Sequence, residues 1–509
     1  MLKPLLSAGV VAVLALAGTA HAEPTPQNTV KIQAAFEFSS LDPSSSGYVY
    51  TRMQILETLL NVDDRGALLP GLAEAWSVED GGKAWQLTLR EGVLFHDGTP
   101  LNAQIAAAEL NRAAAKPSAL QGVPISAIVA TDARTLRIEL SEPYRPLGAV
   151  LAHYSTALLA PSAYDANQQV TALIGTGPFA VHEITVPHKL VVERFDAYWG
   201  RTAGIEYASY LTGHRAEARV LQARSGQADI VFGLDPASVP MLKRLPNLDI
   251  VRSDLPRSLA LKLNAGHPYL ADARAREALS LAINRTGIAT AILHAPEAAS
   301  DQLLPSYMSD WHLPNRKAQF SPDRATELLA ELGWRKNSER WLERDGKTFE
   351  LNLITYADRP ELTSVATAIQ DQWKQLGVKL NVSITNSSAI PAGHSDGSLE
   401  VALIARNYGV IADPLGVLIK DFGSERGGDW GSMDWANAQV RSDLTRLVAE
   451  NDPGLYRRQA QRIAEAIYTE RPLIPIAYYV QQTSVNSRLT GFRFDPYERS
   501  YFLNELSWR

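Results

Sequence analysis

The chain has 509 residues, no cysteine and a formal net charge of −6, with 49 basic and 55 acidic side chains interspersed along it. These features exclude disulfides, thiolate metal sites, a cysteine nucleophile and a lipid anchor on an N-terminal cysteine, and without a basic stripe nucleic-acid binding is not expected. At about 150 residues per domain, the length accommodates roughly three domains around a large core.

The start reads as a secretory signal. Lys3 supplies a positive beginning, Leu5 to Ala17 an apolar run, and Ala20-His21-Ala22 the small-residue cleavage pattern, so cleavage is expected between Ala22 and Glu23. The run falls short of the ~20 apolar residues of a membrane span. Export without a lipid anchor points to a periplasm, where an outer membrane retains a free protein.

Thr29–Phe36 (TVKIQAAF) predicts a strand, followed by Leu41-Asp42-Pro43 and a serine turn. Tyr48–Leu60 places Ile55, Leu56, Leu59 and Leu60 at helical spacing, and Asp63-Asp64 reads as a turn pair. Trp85, Leu87 and Leu89 alternate with polar residues as in a half-buried strand. Gly92 and Asp97-Gly98 then mark turns, and Asn102 stands where the Ala-rich helix 103–110 needs an N-cap. Thr135–Leu140 alternates as a further strand. Ile174-Gly-Thr-Gly-Pro-Phe179 lacks the third glycine and the following helix of a nucleotide loop, so it reads as a rigid crossover ahead of strand Lys189–Phe195.

Strand Ile205–Leu211, a helix capped by Thr212 and strand Asp229–Phe232 give a βαβ rhythm, which implies parallel strands. Leu259–Asn264 alternates as an inter-domain strand. A helix follows Asp272, and another runs from Ser321 at its N-cap and Pro322 at N1 to Gly333 at its stop. Leu351–Thr355, helix Ser364–Leu376 and strand Val378–Ile384 form a second βαβ unit. Strand Leu399–Ala405 leads into Arg406–Pro414, and helix Leu455–Ile467 precedes Arg471-Pro-Leu-Ile-Pro475.

About six of these stretches, in order, resemble the peptide/nickel/opine family of extracytoplasmic solute-binding proteins (family 5), the soluble receptors of ABC importers. Residues 85–110 match its signature segment almost throughout. Leu41-Asp42-Pro43, Leu69–Trp76 (P-x-L-A-x-x-W), Ile174–Phe179, Arg276–Arg285 (R-x-A-L-x-x-A-I-x-R) and the late P-x-I-P around Pro472–Pro475 match further motifs. The resemblance implies an α/β, two-lobed periplasmic binding protein of the Venus-flytrap kind, with an extra inserted domain and mixed β-sheets flanked by helices. Lobe one would combine 23–66, 180–262 and 481–509, the inserted domain would be 67–179, and lobe two 263–480, with hinge strands near Leu259–Asn264 and Ala477–Gln482.

The ten histidines show no H-E-x-x-H spacing, and no Walker loop occurs. His182, His188, His294 and His312 are expected to be ordinary surface or loop residues, and His96 a structural one in a tight turn. No catalytic residue, cofactor or metal ligand is assigned. Trp76, Trp85, Trp199 and Trp334 are expected in the core.

The resemblance places ligand contacts on loops carrying Phe38, Tyr48, Tyr154, Arg406, Asn407, Tyr408, Asp413 and Trp430. Arg406 would hold a carboxylate, its plainer alternative being a surface ion pair, and Asp413 would hold a cation. Dipeptide receptors carry an aspartate where Val410 stands, whereas nickel-type receptors carry an aromatic at the place of Tyr408. The expected function is capture of a short peptide or peptide-like solute by a monomer that delivers it to an ABC permease and ATPase. A nickel or other metal chelate, or an opine-like ligand, is the alternative. A secreted hydrolase or chaperone on the same scaffold is the rival from another class.

Overall fold

The computed structural model describes residues 23–509 apart from 315, 317 and 358; the expected signal segment with Ala22 lies outside them, and Glu23 is exposed. One ten-stranded mixed sheet runs through the molecule, in the order Lys379–Thr385, Glu350–Tyr356, Val401–Asn407, Leu248–Leu263, Leu473–Asn486, Ile230–Val231, Thr29–Ala34, Tyr207–Thr212, Lys189–Arg194, Phe179–Thr185. The parallel pairs sit toward its two ends, Thr29–Ala34 beside Tyr207–Thr212 and Glu350–Tyr356 beside Lys379–Thr385. Such pairs need long crossovers, here through helices such as Pro360–Leu376. A separate four-stranded antiparallel sheet, in the order Ala73–Glu79, Ala84–Leu89, Thr135–Leu140, Ile125–Ala130, is covered by helix Ala103–Ala114.

Two strands join the halves of the large sheet. Leu248–Leu263 and Leu473–Asn486 pair antiparallel from Leu248↔Asn486 to Lys262↔Leu473. At one end they border Ile230–Val231, and at the other Val401–Asn407. The register slips between Asp254 and Ser258, where Pro256 has no N–H to offer the ladder, so the strand bulges and bends. Alternation in the sequence marked only Leu259–Asn264. The polar half from Asp249 to Asp254 and the proline hide the remainder of this 16-residue strand.

The segment opening on Trp85 folds as its turn and cap residues dictate. Asn102 accepts from the Ile105 N–H at 2.9 Å, and Gly92 and Gly98 take the left-handed φ values of 71° and 85° that glycine tolerates. His96 ties this unit to the crossover 174–179. Its Nδ1 accepts from the Gly175 N–H at 3.2 Å and its Nε2 lies 3.0 Å from the Gly177 carbonyl. Those two bonds assign the neutral tautomer protonated on Nε2, and burial of the ring pulls its pKa below the usual histidine value. Gly175 and Gly177 lie against the backbone of Gln54 and Ile55, with the Gly177 N–H donating to Ile55 at 3.1 Å. A Cβ on Gly177 would sit 2.0 Å from the Gln54 carbonyl oxygen.

Several local expectations shift. The helix expected over Tyr48–Leu60 lies at Pro43–Arg52, capped by Asp42, and Gln54 at φ 55° turns the chain toward the crossover. The helix after Tyr207–Thr212 starts at Ala216 with Arg215, not Thr212, at its cap, because Thr212 still belongs to the strand. Ser321 occupies the N-cap position without a side-chain hydrogen bond. Asp63 behaves as a turn residue, its carboxylate accepting from Arg65 N–H at 2.8 Å and Ala67 N–H at 2.9 Å.

Candidate functional site

A cavity of about 490 Å3 opens where the two long joining strands meet the ends of Thr29–Ala34 and Val401–Asn407 and the C-terminal segment 494–501. Its wall carries five arginines, Arg52, Arg219, Arg257, Arg359 and Arg406, against three acids, Glu361, Asp495 and Glu498. This surplus of fixed cations is the feature that defines the site.

The bulge in Leu248–Leu263 places Arg257 on the wall, and the last turn of Pro43–Arg52 places Arg52 there. Arg257 Nη2 donates to Glu498 Oε2 at 2.8 Å, while Arg52 Nε donates to the Glu498 carbonyl at 2.5 Å and Arg52 Nη2 lies 3.7 Å from Oε1. Burial alone would raise the Glu498 pKa, but Arg257, Arg52 and Arg359 outweigh it and hold the carboxyl below its usual value. The Arg257 and Arg359 guanidiniums lie 5.0 Å and 4.9 Å from the ring centroid of Tyr479, a cation–π arrangement. Arg359 forms no salt bridge among the described residues. Burial works against its charge, but Tyr479 and Glu361 outweigh that and keep it protonated.

Glu361 sits in the first turn of helix Pro360–Leu376. Its Oε1 is buried without a hydrogen-bond partner among the described residues, and burial raises its pKa despite the nearby Arg359. A buried acceptor left open in this way is costly unless something supplies a donor. Among the described residues the wall therefore offers a guanidinium without an acid partner and a carboxylate oxygen without a donor, groups complementary to a ligand bearing both charges.

The residues expected from the sequence divide. Arg406, Asn407 and Trp430 line this cavity. Arg406 is nevertheless engaged: Nε and Nη2 form a two-pronged pair with the buried Asp421 at 2.8 and 2.6 Å, so its carboxylate partner is internal. Asn407 accepts from the Gly409 N–H at 2.9 Å, and Trp430 meets Tyr356 edge to face. Tyr408 is fully buried in the largest apolar cluster, its backbone bound to Pro256 at 2.7 Å, and points away from the cavity. Phe38 is likewise a core residue, packed on Tyr50 and Tyr210.

Tyr48 binds the Glu37 carbonyl and meets Tyr154 edge to face, and neither lines the cavity. Asp413 faces Arg145 and Tyr456 in a different cleft, and its Oδ1 accepts from the Leu415 N–H at 2.9 Å. Burial is the main cause raising its pKa, which disfavours the charge that holding a cation would need. Trp85 and Trp334 are core residues; Trp199 donates from Nε1 to the buried Glu57 at 3.0 Å.

The description "Bacterial extracellular solute-binding proteins, family 5 Middle" matches residues 67–429. The chain belongs to that family. It is similar to the glutathione-binding protein GsiB of Salmonella typhimurium, with 24% identity over 516 residues covering 96% of each chain. Among solved structures it resembles NikA from Brucella suis in complex with Fe(III)-EDTA, at a TM-score of 0.86 and 20% identity over 94% of this chain and 100% of that one. The oligopeptide-binding protein AppA from Bacillus subtilis, in complex with a nonapeptide, matches with a TM-score of 0.73 and 18% identity over 94% of this chain and 99% of that one. The fold of this family-5 protein is thus the two-lobed binding-protein fold, and among the described residues no helix is long and apolar enough to cross a membrane.

The site residues that the sequence left unmarked are Arg52, Arg257, Arg359, Glu361, Tyr479 and Glu498. No common motif links them, because the fold gathers them from separate segments around 52, 257, 359–361 and 479–498.

Proposed function

We propose that this protein is a periplasmic receptor of an ABC importer for a small peptide-like solute with more carboxylates than ammonium groups, glutathione being the type. The observation that carries this reading is the cavity wall of five arginines, with Arg359 in no salt bridge among the described residues, beside the open oxygen of Glu361. A ligand carboxylate would pair with Arg359 and share Arg257 and Arg52 with Glu498, while an ammonium would satisfy Glu361. Charge-assisted bonds of this kind are the strong ones. A volume of about 490 Å3 suits a ligand of tripeptide size. The similarity to GsiB supports the same class of solute.

In this reading, lobe one is 23–66, 180–262 and 481–509, the inserted domain 67–179 and lobe two 263–480. The four-stranded sheet within 73–140 and the distinct apolar clusters support the division. Bending at the two long strands would close the lobes on the ligand, and the closed state, favoured only by contacts that differ between states, would be read by the permease. The protein acts as a monomer, without a lipid anchor, and captures its ligand without turning it over.

An arginine-rich wall also suits a metal–polycarboxylate chelate, so the test separates the two. Calorimetric titration and thermal shift would compare glutathione, neutral and cationic tripeptides, and nickel–histidine and iron–EDTA complexes. Binding of glutathione with no response to the cationic peptide is expected. Equal binding of cationic and anionic peptides, or response to chelates alone, would overturn the peptide reading.

A further inference from the structure

Away from the cavity, three side chains that the sequence left scattered converge on one surface point. Glu37 follows the first strand, His188 occupies the turn between Phe179–Thr185 and Lys189–Arg194, and His214 follows Tyr207–Thr212. All three are exposed, and their ligand atoms lie within 4.8 Å of one another. His214 Nε2 is 2.7 Å and His188 Nδ1 3.6 Å from the same Glu37 oxygen, with the two rings nearly perpendicular at 83°. We propose that Glu37, His188 and His214 form a binding site for a divalent transition-metal ion of the zinc or nickel type.

The donor set selects that class. Two imidazoles and a carboxylate suit zinc, nickel and copper, whereas calcium and magnesium want oxygen ligands throughout. Metal bonds of about 2.0–2.2 Å place neighbouring donors roughly 3.3 Å apart on a tetrahedral centre, and the separations of 2.7 and 3.6 Å in the structure bracket that spacing. Small rotations of exposed side chains would complete the set. Three protein ligands leave at least one coordination position facing solvent, the arrangement of an open site.

The backbone beneath is already tied together. The Phe38 N–H donates to the Pro187 carbonyl at 3.4 Å, the Thr212 N–H to the His188 carbonyl at 2.9 Å and the Gly213 N–H to the Ala34 carbonyl at 2.8 Å. Tyr210 holds the Phe36 carbonyl at 2.6 Å and Arg219 the His214 carbonyl at 2.9 Å. The three ligand-bearing segments are therefore fixed relative to one another before any ion arrives, which lowers the cost of assembling the site.

The site stands independently of the peptide reading and is tested separately. Untagged protein, stripped with EDTA, would be dialysed against Zn2+, Ni2+ or Mg2+, with bound metal counted by plasma mass spectrometry and affinity measured by calorimetry. One equivalent of Zn2+ or Ni2+ and none of Mg2+ is expected. Removing first ligands costs more than the roughly 10- to 100-fold of a supporting residue, so His188→Ala/His214→Ala should abolish binding, and Glu37→Gln should weaken it. Unchanged circular dichroism and an unchanged melting temperature of the metal-free variants would show that the fold is intact. No bound Zn2+ or Ni2+ in the parent protein, or equal binding by the double variant, would overturn the proposal and leave a surface ion pair.

Discussion

Arg257 reaches Glu498 at 2.8 Å, and this contact fastens the bulge of the long strand Leu248–Leu263 to the C-terminal segment. Both partners are nearly buried, so the contact matters through what its loss would strand. Glu498→Gln leaves Arg257 and Arg52 without their shared anion, and breaking a buried pair by removing one partner costs about 3–5 kcal/mol. The expected result is a lower urea midpoint with an unchanged m-value. Because the folded pKa of Glu498 is depressed, its contribution is present above the ordinary value of 4.5 and fades as pH falls through the lower folded value. The variant should therefore show a shallower loss of stability in acid than the parent. Equal midpoints at neutral pH would remove the network from any structural role.

Arg359 carries the ligand prediction. It stacks on Tyr479, pairs with no acid among the described residues, and stands two residues from the open Glu361. Arg359→Gln keeps length and polarity while removing the charge. A charge-assisted bond is worth about 1.5–3 kcal/mol, so glutathione affinity should fall roughly 10- to 100-fold. The melting temperature of the free protein should hold. Loss of affinity for anionic and neutral peptides alike would show that Arg359 shapes the cavity without reading charge.

Much of the fold was legible because local chemistry dictates it. Asn102 caps where its side chain can, Gly98 turns where its φ requires, and the alternation of Trp85, Leu87 and Leu89 survives in the strand. The site was far less legible. Arg52, Arg257, Arg359 and Glu498 belong to four segments with no common motif, and only the sheet order brings them together. Tyr408 illustrates the opposite failure: it lies one residue past a strand that lines the cavity, yet its side chain turns inward and is fully buried. Sequence placed the loop, and one step of backbone direction decided which side chains face the ligand.

The glycine pair of the crossover supplies a packing test. A Cβ at Gly177 would meet the Gln54 carbonyl oxygen at 2.0 Å, backbone that no rotamer change can clear, whereas nothing lies within 4 Å of a Cβ at Gly98. Gly177→Ala should cost about 3 kcal/mol or more, at the upper end of overpacking. Gly98→Ala should cost about 1 kcal/mol, from its left-handed φ of 85° alone. Chemical denaturation of the two variants side by side makes the comparison. Equal costs would mean that the crossover backbone yields, and that its fit against Gln54 and Ile55 is not what fixes the junction.

His153 gives the acid dependence a specific source. Its ring is buried, Nδ1 accepts from the Ser155 N–H at 3.3 Å, Nε2 has no partner among the described residues, and burial pulls its pKa down to about 4 from 6.5. In the unfolded chain it takes up a proton near 6.5, so between the two values the unfolded state binds more protons. Stability is therefore full above about 6.5 and is lost as pH falls toward 4. The whole shift corresponds to about 3 kcal/mol, most of it expressed by pH 5. His153→Asn keeps an acceptor for the Ser155 N–H and cannot titrate. Its unfolding free energy should fall by about 2 kcal/mol less than the parent's between pH 7.5 and 5. His96, buried and also lowered, remains in both proteins, so the difference isolates His153. Parallel pH profiles for the two proteins would move the acid sensitivity to other groups.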